Sequence, residues 1–181
     1  MTIIAAYSDD NTICIGSDSC GISPNLKFKY GSKIISFKNY YLGFSNSYRV
    51  KDIIKECKSL PKSINNYNDL ALFRDELRKE IIIKTGAEEE DNGEKAEESH
   101  PIRLILISKL GIHEIQSDYA ILKPTENFTA IGAGKEFAIG SLNTHKLYSA
   151  DAETAIKETL KTTIKYCTDC GGRIYIRSIN K

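Results

Sequence analysis

The chain has no apolar run approaching the roughly 18–20 residues needed to span a bilayer. Its start has no basic segment leading into a long apolar stretch and a cleavage site, so no secretory signal is expected and the default compartment is the cytosol. Net charge is almost absent. Lys and Arg number 25 against 24 Asp and Glu, a formal +1, which gives neither nucleic acid nor an anionic membrane surface a field to bind. The histidines (His100, His113, His145) are not paired, and the five cysteines (Cys14, Cys20, Cys57, Cys167, Cys170) form an odd, scattered set. Reduced thiols are therefore expected rather than a disulfide framework. Cys167 and Cys170 make a CxxC, but a structural zinc site wants a second ligand pair. The plainer reading is a helix end with small buried thiols, with no metal and no cofactor. There is also no phosphate-binding loop, no internal repeat and no domain linker.

What is present suits one globular domain over residues 1–181: apolar content is 41% and charged content 27%, both ordinary. The first third reads as strands. Thr2–Tyr7 and Thr12–Ser17 flank the turn signal Ser8-Asp9-Asp10-Asn11 and predict a hairpin. Leu26–Tyr30, Lys33–Phe37 and Tyr40–Phe44 continue it as an antiparallel meander.

The period then becomes helical. Val50, Ile53, Ile54 and Cys57 share one face, with Asn46 or Ser47 as cap, and Pro61 lies beyond the end. Asn68 is the candidate cap of a second helix carrying Leu70, Phe73, Leu77 and Ile81. Residues 86–100 follow; Ala87–Ser99 alone hold seven acidic residues and one lysine, which predicts a flexible, solvated loop. Strands return at Ile102–Ser108, Ile112–Gln116 and Phe128–Ile131. Helices are predicted over Glu136–Leu147 and, capped by Asp151, along Ala155, Ile156, Leu160, Ile164 and Cys167. Gly171-Gly172 stops the last helix, and Arg173–Ile179 alternates as a closing strand. Two sheets between two helical layers would bury every apolar face in this order, an α+β arrangement.

Thr2 is the first residue of chemical interest. Methionine is removed when the next residue is small, and a Thr2 so exposed would carry a hydroxyl and a free α-amine on one frame. An α-amine with a pKa near ~8 can accept the hydroxyl proton at working pH, so one residue supplies nucleophile and base. Asp18 ends a strand inside Ile15-Gly16-Ser17-Asp18-Ser19, and Lys33 opens one after Gly31. A lysine against a threonine hydroxyl lowers the hydroxyl pKa, and a carboxylate beside that lysine keeps it charged and in place.

In order along the chain, Thr2-Ile3-Ile4-Ala5-Ala6, Ile15-Gly16-Ser17-Asp18-Ser19, Lys33-Ile34-Ile35, Leu42-Gly43-Phe44-Ser45-Asn46 and Ile131-Gly132-Ala133-Gly134 resemble proteasome β-type subunits. The likeness is to the HslV branch and to other small proteasome homologues without a long propeptide. It spans nearly the whole chain, and residues 2–47 are its specific part. The resemblance implies the N-terminal-nucleophile (Ntn) hydrolase fold, a four-layer αββα sandwich of two antiparallel sheets between helical layers. It implies a threonine-type endopeptidase with Thr2 as nucleophile and Asp18 and Lys33 as its electrostatic partners.

By the same resemblance, the oxyanion is held by a backbone N–H in the turn Ser45-Asn46-Ser47, here assigned to Asn46. Asp169 corresponds to an aspartate that orients the N-terminal amine. An extended peptide pairs with main chain at Gly21 and Ile22, with Ser45 and Ser47 also on the substrate side. The sequence departs from the family at Ala133, where serine is common, and in the shortened stretch Thr168–Gly172. The implied substrate is a peptide or unfolded protein, and the implied assembly is a homo-oligomeric ring, with no unfoldase partner identified. The alternatives are a non-proteolytic Ntn amidase or peptide ligase working through the same acyl-enzyme, and an inactive structural subunit.

Overall fold

The computed structural model describes residues 2–23, 26–46, 48–85 and 102–181; the acidic segment 86–100 and Ser47 lie outside the described residues. In chain order the first elements are β1 (Ile3–Ser8), β2 (Thr12–Ser17), β3 (Cys20–Ser23), β4 (Leu26–Lys29), β5 (Ile34–Ser36) and β6 (Tyr41–Asn46). Then come α1 (Tyr48–Glu56), α2 (Tyr67–Thr85), β7 (Ile102–Ser108), β8 (Gly111–Ile115) and β9 (Ile121–Leu122). β10 (Phe128–Gly132), α3 (Lys135–Leu147), α4 (Ala152–Tyr166) and β11 (Tyr175–Asn180) complete the chain.

The expected hairpin forms, with Ala6 opposite Ile15. Asp9 holds its turn: Oδ1 accepts the N–H of Asn11 at 2.8 Å and of Thr12 at 2.7 Å. Strands β10 and β11 add antiparallel to either edge, giving the order β10-β1-β2-β11. A second antiparallel sheet runs β5-β6-β7-β8-β9, and among the described residues β3 and β4 pair only with each other.

Side chains of β1 alternate between two apolar layers, as a strand with period two requires. Ile3, Ala5 and Tyr7 meet Ala138 and Leu142 of α3 and Ala155, Ile156 and Leu160 of α4. Ile4 and Ala6 face the second sheet, joining Ile15 with Ile34, Ile105, Ile107 and Ile112. The sheets approach closely at Gly43, where an added Cβ would stand 2.5 Å from Ile4 Cγ2. The outer face of the second sheet is covered by Val50, Ile53 and Ile54 of α1 and Leu70, Phe73, Leu77 and Ile81 of α2. The architecture is the expected α+β sandwich, with layers αββα.

Three local expectations are corrected. The strands of the first third are not one meander: they divide among both large sheets and the β3–β4 hairpin. Short apolar strands specify antiparallel neighbours locally but not which sheet each one joins. The cap of α2 is Asn66, not Asn68; its Oδ1 accepts the N–H of Asp69 at 3.0 Å, because the helix begins at Tyr67. Asn46, one of the two expected caps for α1, is instead the last residue of β6. Asp151 caps α4 as expected, accepting from Thr154 N at 2.9 Å. Among the described residues no helix is long and apolar enough to cross a membrane.

Candidate active site

Strand β2 carries the chain to Asp18, directly after its last residue, and the side chain turns back toward the start of β1. Thr2, Asp18 and Lys33 are 3%, 0% and 1% exposed. A carboxylate so placed is tolerable only with its lone pairs filled. Oδ1 accepts from Thr2 Oγ1 at 2.9 Å, from the Ile3 N–H at 3.2 Å and from Lys33 Nζ at 2.6 Å. Oδ2 accepts from the Gly171 N–H at 3.0 Å and, more weakly, from the Cys20 N–H at 3.4 Å. The Thr2 hydroxyl and the Lys33 ammonium thus converge on one oxygen.

Lys33 is brought in from the second sheet. Its carbonyl accepts the N–H of Phe44 at 3.1 Å, which joins it to β6, and its own N–H donates to Ser17 Oγ at 3.4 Å. Burial pushes the Lys33 ammonium below its ordinary value, against which the charge and hydrogen bond of Asp18 act. A buried pair of this kind adds little net stability, but removing one partner leaves an uncompensated charge. Beside the pair, burial and then the Asp18 charge push the Tyr48 phenol up to about 12, and its ring lies tilted against Tyr30 with centroids 3.8 Å apart.

The backbone of Thr2 is seated by Gly132. That residue has φ +102°, a region L side chains rarely adopt, and an added Cβ would lie 2.2 Å from the Thr2 carbonyl oxygen. Both features make glycine necessary there.

The remaining sequence-predicted residues are placed as follows. Gly21 and Ile22 lie in β3 opposite Phe28 and Lys27. Among the described residues β3 has no strand on its other edge. Ser45 is buried in β6, and its Oγ has no hydrogen-bond partner among the described residues. Asn46 ends β6 opposite Ile102. Asp169 is half-buried in the turn after α4, and its carboxylate makes no hydrogen bond to another described residue. That turn instead delivers Gly171 to Asp18.

The amide donors around Asp18 are what sequence reading missed. The signal for Gly171 was visible, since a glycine pair lets backbone approach a carboxylate, but it was read only as a helix stop. Ser19, whose Oγ accepts the Arg173 N–H at 2.7 Å, had no signal at all. Among the described residues no group of three or more His, Cys, Asp and Glu is placed to hold a metal ion.

No protein-family model matches the chain, and no curated protein matches it by sequence. Solved structures do. BPH of Thiobacillus denitrificans superposes with a TM-score of 0.82 at 18% identity, over 98% of this chain and 97% of that one. The same protein in complex with Epoxomicin gives 0.79 at 17% identity, over 98% of each chain. The eukaryotic HslV of Trypanosoma brucei gives 0.70 at 15% identity, over 99% of each. With 97–99% of each chain covered, this chain has the HslV- and proteasome-like Ntn-hydrolase fold.

Proposed function

We propose that this protein is a threonine-type endopeptidase whose nucleophile is Thr2. One observation carries the reading: a fully buried carboxylate, Asp18, binds the Thr2 hydroxyl and the Lys33 ammonium through the same oxygen. That a protein of this fold is solved with Epoxomicin lends support. Once Met1 is removed, the Thr2 hydroxyl attacks a peptide carbonyl and its proton passes to the α-amine of the same residue. The carbonyl electrons move onto oxygen, and that oxyanion is held by a backbone N–H at the end of β6, assigned to Asn46. Collapse expels the peptide amine with the shuttled proton and leaves an ester on Thr2. Water attacks the ester, releases the acid and restores the hydroxyl. Lys33 favours the developing alkoxide, Asp18 positions Lys33 and Thr2, and Asp169 orients the amine across the turn after α4.

The substrate is an extended stretch of peptide or unfolded protein, added as a strand along Gly21 and Ile22 on the open edge of β3. A homo-oligomeric ring in the cytoplasm, sheltering the sites, fits the fold.

The test is intact mass of the native protein followed by reaction with an epoxyketone peptide. Loss of Met1 and a stoichiometric adduct on Thr2 are expected, with Thr2→Ser labelled and Thr2→Ala not. A methionine-processed sample without adduct would refute the reading. Products formed with an added amine acceptor separate hydrolysis from ligation.

A further inference from the structure

We propose that Cys167 and Cys170 form a reversible dithiol–disulfide modification site that controls the position of Asp18 through the Gly171 amide. The two thiols lie at the end of α4. The Cys167 N–H closes the last helical turn on Thr163 O at 2.8 Å, and the Cys170 N–H returns to Cys167 O at 3.2 Å. This tight turn sets the sulfurs 3.4 Å apart, with the Cys170 thiol donating to Cys167 Sγ. The residue after the pair is Gly171. Its N–H donates to Asp18 Oδ2 at 3.0 Å, and its carbonyl accepts the Ser19 N–H at 3.2 Å. One peptide bond and one hydrogen bond therefore connect the dithiol to the carboxylate that holds Thr2 and Lys33.

Oxidation would act along that path. A disulfide needs its sulfurs at about 2.05 Å, so they must close by more than an ångström. The Cys170 sulfur lies against Gly134, where an added Cβ would come within 2.9 Å of it. Closure shifts Cys170, and the adjoining Gly171 with it, which disturbs the hydrogen bond from the Gly171 amide to Asp18.

The oxidant is a hydroperoxide. The Cys167 thiolate attacks the terminal peroxide oxygen, giving a sulfenic acid and an alcohol (water, when the oxidant is hydrogen peroxide). Cys170 sulfur then displaces the sulfenic hydroxyl, which leaves as water with the Cys170 proton, and the disulfide forms. A dithiol reductant returns both thiols. Cys167, 8% exposed beside the exposed Thr168, is the residue attacked first. Cys170, 3% exposed and with its thiol pushed up chiefly by burial, is the resolving residue. Zinc is the poorer ligand for this pair, since the described residues supply no third and fourth donors.

The effect on reactivity rests on the peptidase reading above; the disulfide and its displacement of Gly171 do not. The test uses the full chain, methionine-processed, treated with hydrogen peroxide and then with a dithiol. Expected are loss of two hydrogens mapped to the 167–170 bridge, faster hydrogen exchange at the Gly171 amide, and roughly tenfold slower epoxyketone labelling, the scale of one charge-assisted hydrogen bond. All three reverse on reduction, and Cys167→Ser forms no bridge and keeps its labelling rate under peroxide. Absence of the bridge, a bridge to Cys20 instead, or a bridge that leaves Gly171 exchange unchanged would each overturn the proposal. These arms use the unmutated chain, so they decide even if Cys167→Ser fails to fold. A reduced protein that never labels would sink the peptidase reading alone.

Discussion

Asp18 and His113 are both polar side chains buried almost completely, and their surroundings are opposite. Asp18 receives five donors, from Thr2, Ile3, Cys20, Lys33 and Gly171. His113, on β8 beneath Tyr67 of α2, has no hydrogen-bond partner among the described residues for either ring nitrogen. The difference follows from what each group can do when deprived of water. A carboxyl group at this depth has lone pairs that must find donors once water is gone. An imidazole can stay neutral, and burial together with the Lys123 charge pushes its pKa below the ordinary 6.5. Partners were assembled from four parts of the chain around Asp18 and none around His113. That asymmetry marks the first as a built centre and the second as a side chain placed by register, opposite Leu106 on a face packed against α2.

The largest expected effect comes from breaking the built centre. Asp18→Asn leaves the Lys33 ammonium buried without its counter-charge, and should cost about 3–5 kcal/mol in urea unfolding while abolishing epoxyketone labelling. A loss below about 1 kcal/mol would mean the centre is less tightly built than its geometry implies. A smaller effect separates the amide donor from the side chain: Gly171→Pro removes one N–H from Asp18 and should cost about 1.5–3 kcal/mol. Gly171→Ala is the control, since its Cβ would sit an ordinary 3.7 Å from Cys20 Cβ, and it should change stability by under about 0.5 kcal/mol.

The smallest effect concerns His113. Above pH 6.5 its ring is neutral in both states. As pH falls below 6.5 the unfolded chain takes up a proton that the folded ring refuses, so stability drops until the lowered folded value is passed. His113→Leu should shift stability at pH 7 by about 1 kcal/mol or less and flatten this acid-side slope. Thermal melts between pH 7 and 5 read both, and an unchanged slope would mean the ring is not buried neutral.

Much of the fold was legible because its signals are local. The apolar stripe of α4 and its Asp151 cap, the Asp9 turn and the alternation of β1 follow from spacing alone. What sequence pattern missed was decided between elements. The division of the first six strands among three sheets, and the two-residue β9, depend on which faces meet. At the site, Thr2, Asp18 and Lys33 were read from residue type, position and resemblance, and they converge. The amides of Ile3, Cys20 and Gly171 carry no side-chain signature, since any residue but proline supplies an N–H.

The sequence by itself determined most of the strands and all four helices, β3 and β9 excepted, and it singled out Thr2, Asp18 and Lys33. Periodicity, caps and charged side chains all act within a few residues, so they can be read along the chain. Only the tertiary structure decided that these three meet at one carboxylate oxygen, that Gly132 seats the Thr2 backbone, and that the Cys167–Cys170 turn ends on Asp18. Each of those contacts joins residues far apart in the chain. They arise because two sheets must bury their inner faces against each other, and that packing sets which distant backbone groups come within hydrogen-bonding reach.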